Sequence, residues 1–334
     1  MTRKLAAAVL FGLLAMTLQA SSACADDEIV QRAQNIVDGW KTWVRKHDIS
    51  EAAIAISHKG VVIAQFGIGR DADTPAPVAS VSKAITGICV AKLAETGAFS
   101  FDSALKDIVP ELESDVTVTE LMLHTSGYTR DITQRPDKYI GRNKEYQEWV
   151  GRKEIEKGRD SSKIGEFHYN NSNYAMLGAI IRKVTGNSYE DACKDLVFRP
   201  IGVEKVDLNP DWRIHGAFGG WRISALDHLK FLNAYFGNDK VYNRSPVDWP
   251  RYSFGNGLNY GMGYMFRKGR AGGYNFWHDG RWHTDIDGKA HRFGAFFVSY
   301  DNGWKITTNH SFSAIDGEHG ELDRIFAIAT HQPL

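Results

Sequence analysis

Ile29, Ala33, Ile36, Val37, Trp40 and Val44 recur at helical spacing, so residues 28–47 are expected to form an amphipathic helix. Apolar runs on either side of His58-Lys59-Gly60 follow a strand pattern and predict a hairpin. "PVASVSKAITGICVAKLAETG", from Pro77 to Gly97, is an apolar helix opening near Ser80, with Gly97 placed for a left-handed C-terminal cap. From there to about residue 237 the patterns are mostly helical and the loops long. "NYAMLGAIIRKVTG" and "SALDHLKFLNAYF" are the clearest helices. After residue 255 the pattern turns to strands in "YGMGYMF", "YNFWHDG" and "FGAFFVSY-DNG-WKITTNHS", the last a hairpin turning at Asn302-Gly303. A helix in "ELDRIFAIATHQ" follows.

Strands therefore lie towards both ends and helices between them. An α/β (α+β) fold satisfies this pattern: the end strands join into one antiparallel sheet, covered by the first and last helices, with a mostly helical lobe inserted. The expected division is a sheet domain of residues 26–78 and 245–334 and a lobe of residues 79–244. There is no internal repeat and no low-complexity tract.

Residues 1–25 stand apart from this pattern. Arg3 and Lys4 precede an apolar run from Leu5 to Leu18, followed by Ala23-Cys24-Ala25 and the acidic Asp26-Asp27-Glu28. This is the pattern of a secretory signal peptide cleaved after Ala25, and it predicts a periplasmic or secreted protein. The run is too short to span a bilayer comfortably, so stable membrane insertion is not expected. Ser21-Ser22-Ala23 lacks the leucine usual before a lipidated cysteine, which argues against lipidation at Cys24. Forty basic residues balance forty acidic ones in the 334-residue chain. Such a chain has no electrostatic reason to bind nucleic acid. Export permits a disulfide between Cys89 and Cys193, but spacing alone does not show contact.

The chemistry centres on Ser80 and Lys83. Residues three apart on a helix share a face, so the amine can reach the hydroxyl. A serine needs such a base to become a nucleophile. The helix N-terminus adds free N–H groups for an oxyanion, and burial there lowers the ammonium's pKa. The spacing is weak evidence alone: Ser103 and Lys106 repeat it, and a serine at a helix start is often a simple cap. Tyr169 and Asn171 precede a helix. The tyrosine can work as a base only beside cations, and the asparagine can orient the lysine and bind a substrate amide. Alternatively they are a loop tyrosine and a helix cap. His278-Asp279-Gly280 follows an apolar strand; the glycine lets a ligand approach the backbone, and the Arg281 N–H offers a second oxyanion donor.

These elements, in this order, resemble the serine β-lactamase and penicillin-recognising superfamily, in particular its class C branch, which also holds DD-peptidases, D-aminopeptidases and carboxylesterases. "VASVSKAITG", "TVTELMLHTSGY", "FHYNNSNYAMLGAIIRKVTGNSYED", "GGWRISALDHLKFL", "YGMGY" and "HDG" carry the likeness over nearly the whole mature chain. The resemblance implies the β-lactamase/transpeptidase-like fold, an acyl-enzyme on Ser80, acid/base work shared by Lys83 and Tyr169, and positioning by Asn171. It further implies substrate binding along His278, Asp279 and Gly280, an oxyanion hole from the Ser80 and Arg281 N–H groups, and no cofactor. The expected partner is a small molecule or peptide with an ester or amide bond. Two positions depart from class C β-lactamases. His-Asp-Gly replaces Lys-Thr-Gly, losing the lysine that meets a β-lactam carboxylate, and Asn170 replaces a small residue. Both point towards an esterase or a D-amino-acid peptidase.

Other readings compete. His278, Asp279, His283, Asp285, Asp287 and His291 crowd one stretch, but their spacing matches no zinc motif, and no metal is expected. A non-catalytic exported binding protein on the same fold is the second rival. Of the tryptophans Trp212, Trp221, Trp249, Trp277 and Trp282, the last two are expected near the site and the rest in the core. His124 and His168 are expected to be structural.

Overall fold

The computed structural model describes residues 27–134, 147–286, 289–312 and 318–330. The proposed signal peptide, Cys24 and Asp287 lie outside them. Helix α1 (27–46) forms where the apolar spacing places it, burying Ile36, Trp40 and Val44. Strands β1 (Ala52–His58) and β2 (Val61–Ile68) follow, joined by Lys59 and Gly60. Both turn residues have positive φ, +49° and +85°, as a tight two-residue hairpin turn requires.

The middle of the chain supplies β3 (Ala76–Pro77), α2 (Ser82–Glu95), α3 (Leu105–Ile108), α4 (Val118–Met122), α5 (Gln147–Ile155), α6 (Asn171–Thr185), α7 (Tyr189–Cys193), β4 (Asp207–Leu208), β5 (Trp221–Ile223) and α8 (Ala225–Tyr235). Strands β3, β5 and β4 form a small separate sheet, which strands this short give no periodicity to foretell. The strand-rich part then runs β6 (Tyr252–Gly255), β7 (Leu258–Gly261), β8 (Tyr264–Lys268), β9 (Tyr274–Ile286), β10 (Lys289–Ser299) and β11 (Trp304–His310), and α9 (Glu318–Ala329) follows.

The main sheet has eight strands in the order β2-β1-β11-β10-β9-β8-β7-β6, every paired neighbour antiparallel. Pairing of β1 with β11 closes it from the two ends of the chain, as the alternation of patterns predicts. One face buries Ile54, Ile56, Phe296, Val298 and Ile306 against α1 and α9. The other packs on the lobe: Ala53 and Ala55 meet Ala225 and Leu229 of α8, while Phe276 and Phe297 join the largest core. Burying both faces is the main apolar gain of the fold.

Helix α2 is buried on every side, eleven of its fourteen residues being inaccessible, so it has no solvent stripe. Gly87 lets it touch the β7–β8 turn, where a Cβ would stand 2.1 Å from the Met262 carbonyl oxygen. Gly263, in that turn, has φ +83°, and a Cβ on it would stand 2.3 Å from the Lys83 carbonyl carbon. The "YGMGY" segment thus seats the nucleophile helix.

Two local expectations are corrected. Ser80 does not cap α2: it lies in a 3₁₀ turn, Ala79–Val81, and α2 starts at Ser82. Ala79 takes φ +46°, a left-handed conformation costly for a residue with a Cβ. His278-Asp279-Gly280 is not at a strand end: β9 runs thirteen residues and continues past it to Ile286. Pairing with β10 sustains the strand through this polar stretch.

Candidate active site

Ser80, Lys83, Tyr169 and Asn171 converge. The Lys83 Nζ lies 3.1 Å from Ser80 Oγ, 2.7 Å from Asn171 Oδ1 and 2.9 Å from the Phe218 carbonyl oxygen. Lys83 is fully buried, and desolvation lowers its pKa to about 7, against the opposing pull of Asp131 and Asp279. Its partners fit the neutral amine. A neutral amine has two N–H donors and one lone pair; Asn171 Oδ1 and the Phe218 carbonyl accept the two donors. The lone pair is then left for the Ser80 hydroxyl.

Tyr169 contributes its hydroxyl from the other side, hydrogen-bonded to Ser80. Its ring forms part of the cavity wall, with 43% of the residue surface exposed, while the phenol is turned inwards. Burial, together with the nearby Tyr260, pushes that phenol well above its ordinary value of 10. Tyr169 is therefore a neutral phenol at physiological pH. The Lys83 Nζ sits 4.7 Å from its ring centre.

Asn171 is oriented at every polar atom. Its Nδ2 donates to Thr133 Oγ1 at 3.0 Å and its backbone N–H to Asp131 Oδ2 at 3.2 Å. Of the two roles expected for it, its Oδ1 holds the lysine, while one Nδ2–H is engaged by Thr133 and the side chain lines the cavity. Asn170 faces away: its side chain caps α6 through Ser172 N and donates to Glu154 and the Tyr128 carbonyl. The larger residue at this position thus costs the cavity nothing.

His124 is structural, as expected. Its Nδ1 accepts from the Asn170 N–H at 3.2 Å, which leaves Nε2–H to donate to the Tyr260 hydroxyl at 3.2 Å. Burial lowers its pKa well below 6.5, and its ring lies 4.4 Å from that of Tyr169. It braces the segment that presents the phenol. His168 is on the protein surface and pairs with Glu166 at 3.5 Å.

Strand β8 pairs with β9 only as far as Trp277, so from His278 onward that edge of β9 faces the Ser80 turn instead of another strand. Gly280 makes the approach possible: a Cβ there would stand 2.2 Å from the Val78 carbonyl oxygen and 2.9 Å from Ser80 N. Successive residues alternate faces. His278 lies on the lobe side and Asp279 on the α1/α9 side, 3.4 Å from His319 Nδ1. Asp279 turns its carboxylate towards His319, yet it still borders the cavity and acts on Lys83. His278 is buried, and desolvation lowers its pKa to about 4, so it is neutral at physiological pH.

A cavity of about 670 Å³ opens over Ser80. Thr133, Gln134 and Asn171 form a polar side, and Phe167, Phe254, Tyr260, Met265 and Trp277 an apolar one, with Arg281 and Trp282 along the β9 edge. Trp277 and Trp282 both line it, as expected, while Trp212, Trp221 and Trp249 are buried. Asp131, Thr133, the Phe218 carbonyl and the aromatic wall were not foreseen. Aromatic residues on the otherwise polar hairpin "YSFGNGLNY" are the one sequence signal that pointed to that wall.

Of the candidate metal ligands, His278, Asp279, His283 and Asp285 are distributed over both faces of β9 and His291 lies on β10, and no group of three His, Cys, Asp or Glu residues suited to a metal occurs among the described residues. Cys89 and Cys193 are buried and unbonded, with a hydrogen bond between their thiols.

The beta-lactamase family pattern matches residues 27–310. The chain belongs to the beta-lactamase family. This places it in a superfamily of serine hydrolases. Among curated relatives, penicillin-binding protein 4 of Amycolatopsis lactamdurans is 28% identical over 174 residues, covering 49% of this chain and 42% of the relative. Protein flp of Staphylococcus aureus strain MW2 is 30% identical over 174 residues, covering 47% and 34%. The chain thus spans less than half the length of these relatives. Among solved structures, the octameric penicillin-binding protein homologue from Pyrococcus abyssi has a TM-score of 0.68 at 19% identity, covering 90% of this chain and 78% of that one. A class C beta lactamase from Rhodobacter sphaeroides has a TM-score of 0.64 at 16% identity, covering 89% and 99%. These likenesses establish the β-lactamase/transpeptidase fold. No helix among the described residues is long and apolar enough to cross a membrane.

Proposed function

We propose that the protein is an exported hydrolase of the class C branch that cleaves an ester or amide through an acyl-enzyme on Ser80. One observation carries this reading: a buried amine with a pKa of about 7 stands 3.1 Å from the Ser80 hydroxyl. Half of such an amine is neutral at pH 7, the state a general base needs.

In the first step Lys83 Nζ takes the Ser80 proton as Oγ attacks the substrate carbonyl. The backbone N–H groups of Ser80 and Arg281 receive the oxyanion. The Tyr169 phenol then gives its proton to the leaving oxygen or nitrogen and is reprotonated by the Lys83 ammonium through the Ser80–Tyr169–Lys83 cluster. Water enters as the leaving group departs, loses its proton along the same route, and releases the acid and free Ser80. The phenol's raised pKa suits a proton carrier and supports Lys83 as the first base.

The substrate is best read as one without a carboxylate beside the scissile bond. His278, where class C β-lactamases proper have lysine, is neutral, and no cation replaces it on that face of β9. The apolar wall favours an ester or amide with an aromatic or aliphatic group. A second reading, cleavage of D-alanyl peptides, is favoured by Arg281 on the cavity rim and by a TM-score of 0.68 to a Beta-Lactamase/D-Alanine Carboxypeptidase from Pseudomonas syringae at 12% identity. Parallel assays with short p-nitrophenyl esters, nitrocefin and a D-Ala-D-Ala peptide separate them. Ester turnover well above the other two is expected; preferred cleavage of the peptide or of nitrocefin would replace the first reading.

A further inference from the structure

Behind the β9 edge, on the α1/α9 side of the sheet, a second polar chain crosses an otherwise apolar layer. The His310 Nδ1 lies 2.6 Å from the Phe312 carbonyl oxygen, His310 Nε2 lies 3.1 Å from His319 Nε2, and His319 Nδ1 lies 3.4 Å from Asp279 Oδ2. Both histidines are buried, packed against Trp43 and Phe296. Asp279 further meets Arg281 Nε at 3.9 Å.

A carbonyl oxygen only accepts, so His310 Nδ1 carries the hydrogen towards Phe312. His319 bridges the two ends of the chain through its two ring nitrogens, Nε2 towards His310 and Nδ1 towards the Asp279 carboxylate.

The backbone makes room for this arrangement. Gly294 pairs with Arg281 on one side and His310 on the other. A Cβ on Gly294 would stand 2.4 Å from the His310 ring. The imidazole therefore occupies the space of the missing side chain, directly behind the peptide that carries the Arg281 N–H. Other charged groups near the chain are Arg70 and His47, which act on His310, and Glu318, which His47 Nδ1 meets at 3.1 Å.

We propose that His319 is a positioning residue of the Ser80 site: held between Asp279 and His310, it fixes the β9 peptide whose N–H completes the oxyanion hole. This rests on the acyl-enzyme reading given above. His319 touches no reacting atom; it acts through Asp279, which follows His278 and precedes Gly280 on the strand that contacts the nucleophile turn.

The test has two arms on the full chain. In ¹H–¹⁵N NMR, the Arg281 backbone amide is expected to shift in His319→Gln and in Asp279→Asn. In ester hydrolysis, His319→Gln is expected to lower kcat by about tenfold to 10²-fold, the cost of an ångström-scale misplacement, with KM within about twofold. Asp279→Asn is expected to lower kcat too, and the double variant to lose no more than the worse single one, because both act through one contact. An unmoved Arg281 amide, an unchanged kcat, or losses that multiply in the double variant would overturn the proposal. Should His319→Gln not fold, Gly294→Ala, which displaces His310, is expected to give the same kcat loss at unchanged KM, and an unchanged kcat there counts against it. If the wild-type protein hydrolyses nothing, the acyl-enzyme reading fails, and the NMR arm still decides whether His319 holds the β9 peptide.

Discussion

The chain carries the same four-residue spacing twice, and the two copies are in opposite physical states. The Ser103 hydroxyl meets neighbouring Ser100, and Lys106 is about half exposed and paired with Asp115. That pairing raises the pKa of Lys106. Lys83 is stripped of water, given two acceptors and no close carboxylate, and its pKa falls to about 7. A lysine is a resting cation at the first site and a base at the second. The spacing sets reach; the fold sets protonation.

The contrast can be broken most severely at the serines. Ser80→Ala is expected to lower ester turnover by at least ~10⁴-fold with the circular dichroism unchanged, on the scale of removing a nucleophile. Ser103→Ala is expected to leave it within twofold. Equal losses, or persistent turnover in Ser80→Ala, would erase the distinction.

At the lysines, Lys83→Met is expected to cost on the order of 10²–10⁴ in kcat/KM and Lys106→Met nothing measurable. The same change should raise thermal stability. Lys83 has a lower pKa folded, about 7, than unfolded, about 10.5, so between those values the unfolded chain binds more protons. Wild-type stability then rises with pH across that window, and the methionine variant lacks this rise. Melting curves from pH 7 to pH 10 measure it. A lower melting temperature at pH 7 for the variant would mean the amine is not destabilising where it stands.

Tyr169→Phe is expected to cost about 10² or more as the proton carrier is lost, with Lys83 still titrating near 7. A pH limb that moves away from 7 in this variant would instead make the phenol part of the base. The smallest effect concerns His278. His278→Lys restores a cation, and KM for a carboxylate-bearing substrate is expected to drop by about fivefold, the worth of a partly solvated ion pair of ~1 kcal/mol. No change, or a drop shared by uncharged esters, would detach specificity from this position.

Much of the fold was legible because its signals are local and periodic. The spacing of Trp40 and Val44, the Lys59-Gly60 turn, and the alternation in "FGAFFVSY" each report one face of one element. Ser80, Lys83, Tyr169 and Asn171 were legible through their order along the chain. What escaped depends on tertiary contact. The 3₁₀ turn at Ser80 is imposed by Ala79 at positive φ beside β9. The continuation of β9 through "HDGRWHTDI" is sustained by cross-strand bonds to β10, against a composition that resembles a loop. Asp131 and Thr133 reach Asn171 from a loop without pattern, and the Phe218 carbonyl has no side-chain signature at all. That Asp279 reaches His319 could not be read from its charge; it follows from strand parity.

The account's central claim is that a neutral Lys83 activates Ser80, and the rate of covalent labelling tests it most directly. Treated with a fluorophosphonate, the full-length protein should gain one adduct at Ser80, located by peptide mass spectrometry, and the labelling rate should fall below an apparent pKa of about 7. The limb falls on the acid side because protonation removes the lone pair. An adduct at another residue, no adduct while a control esterase is labelled, or a rate flat from pH 5 to pH 9 would contradict it.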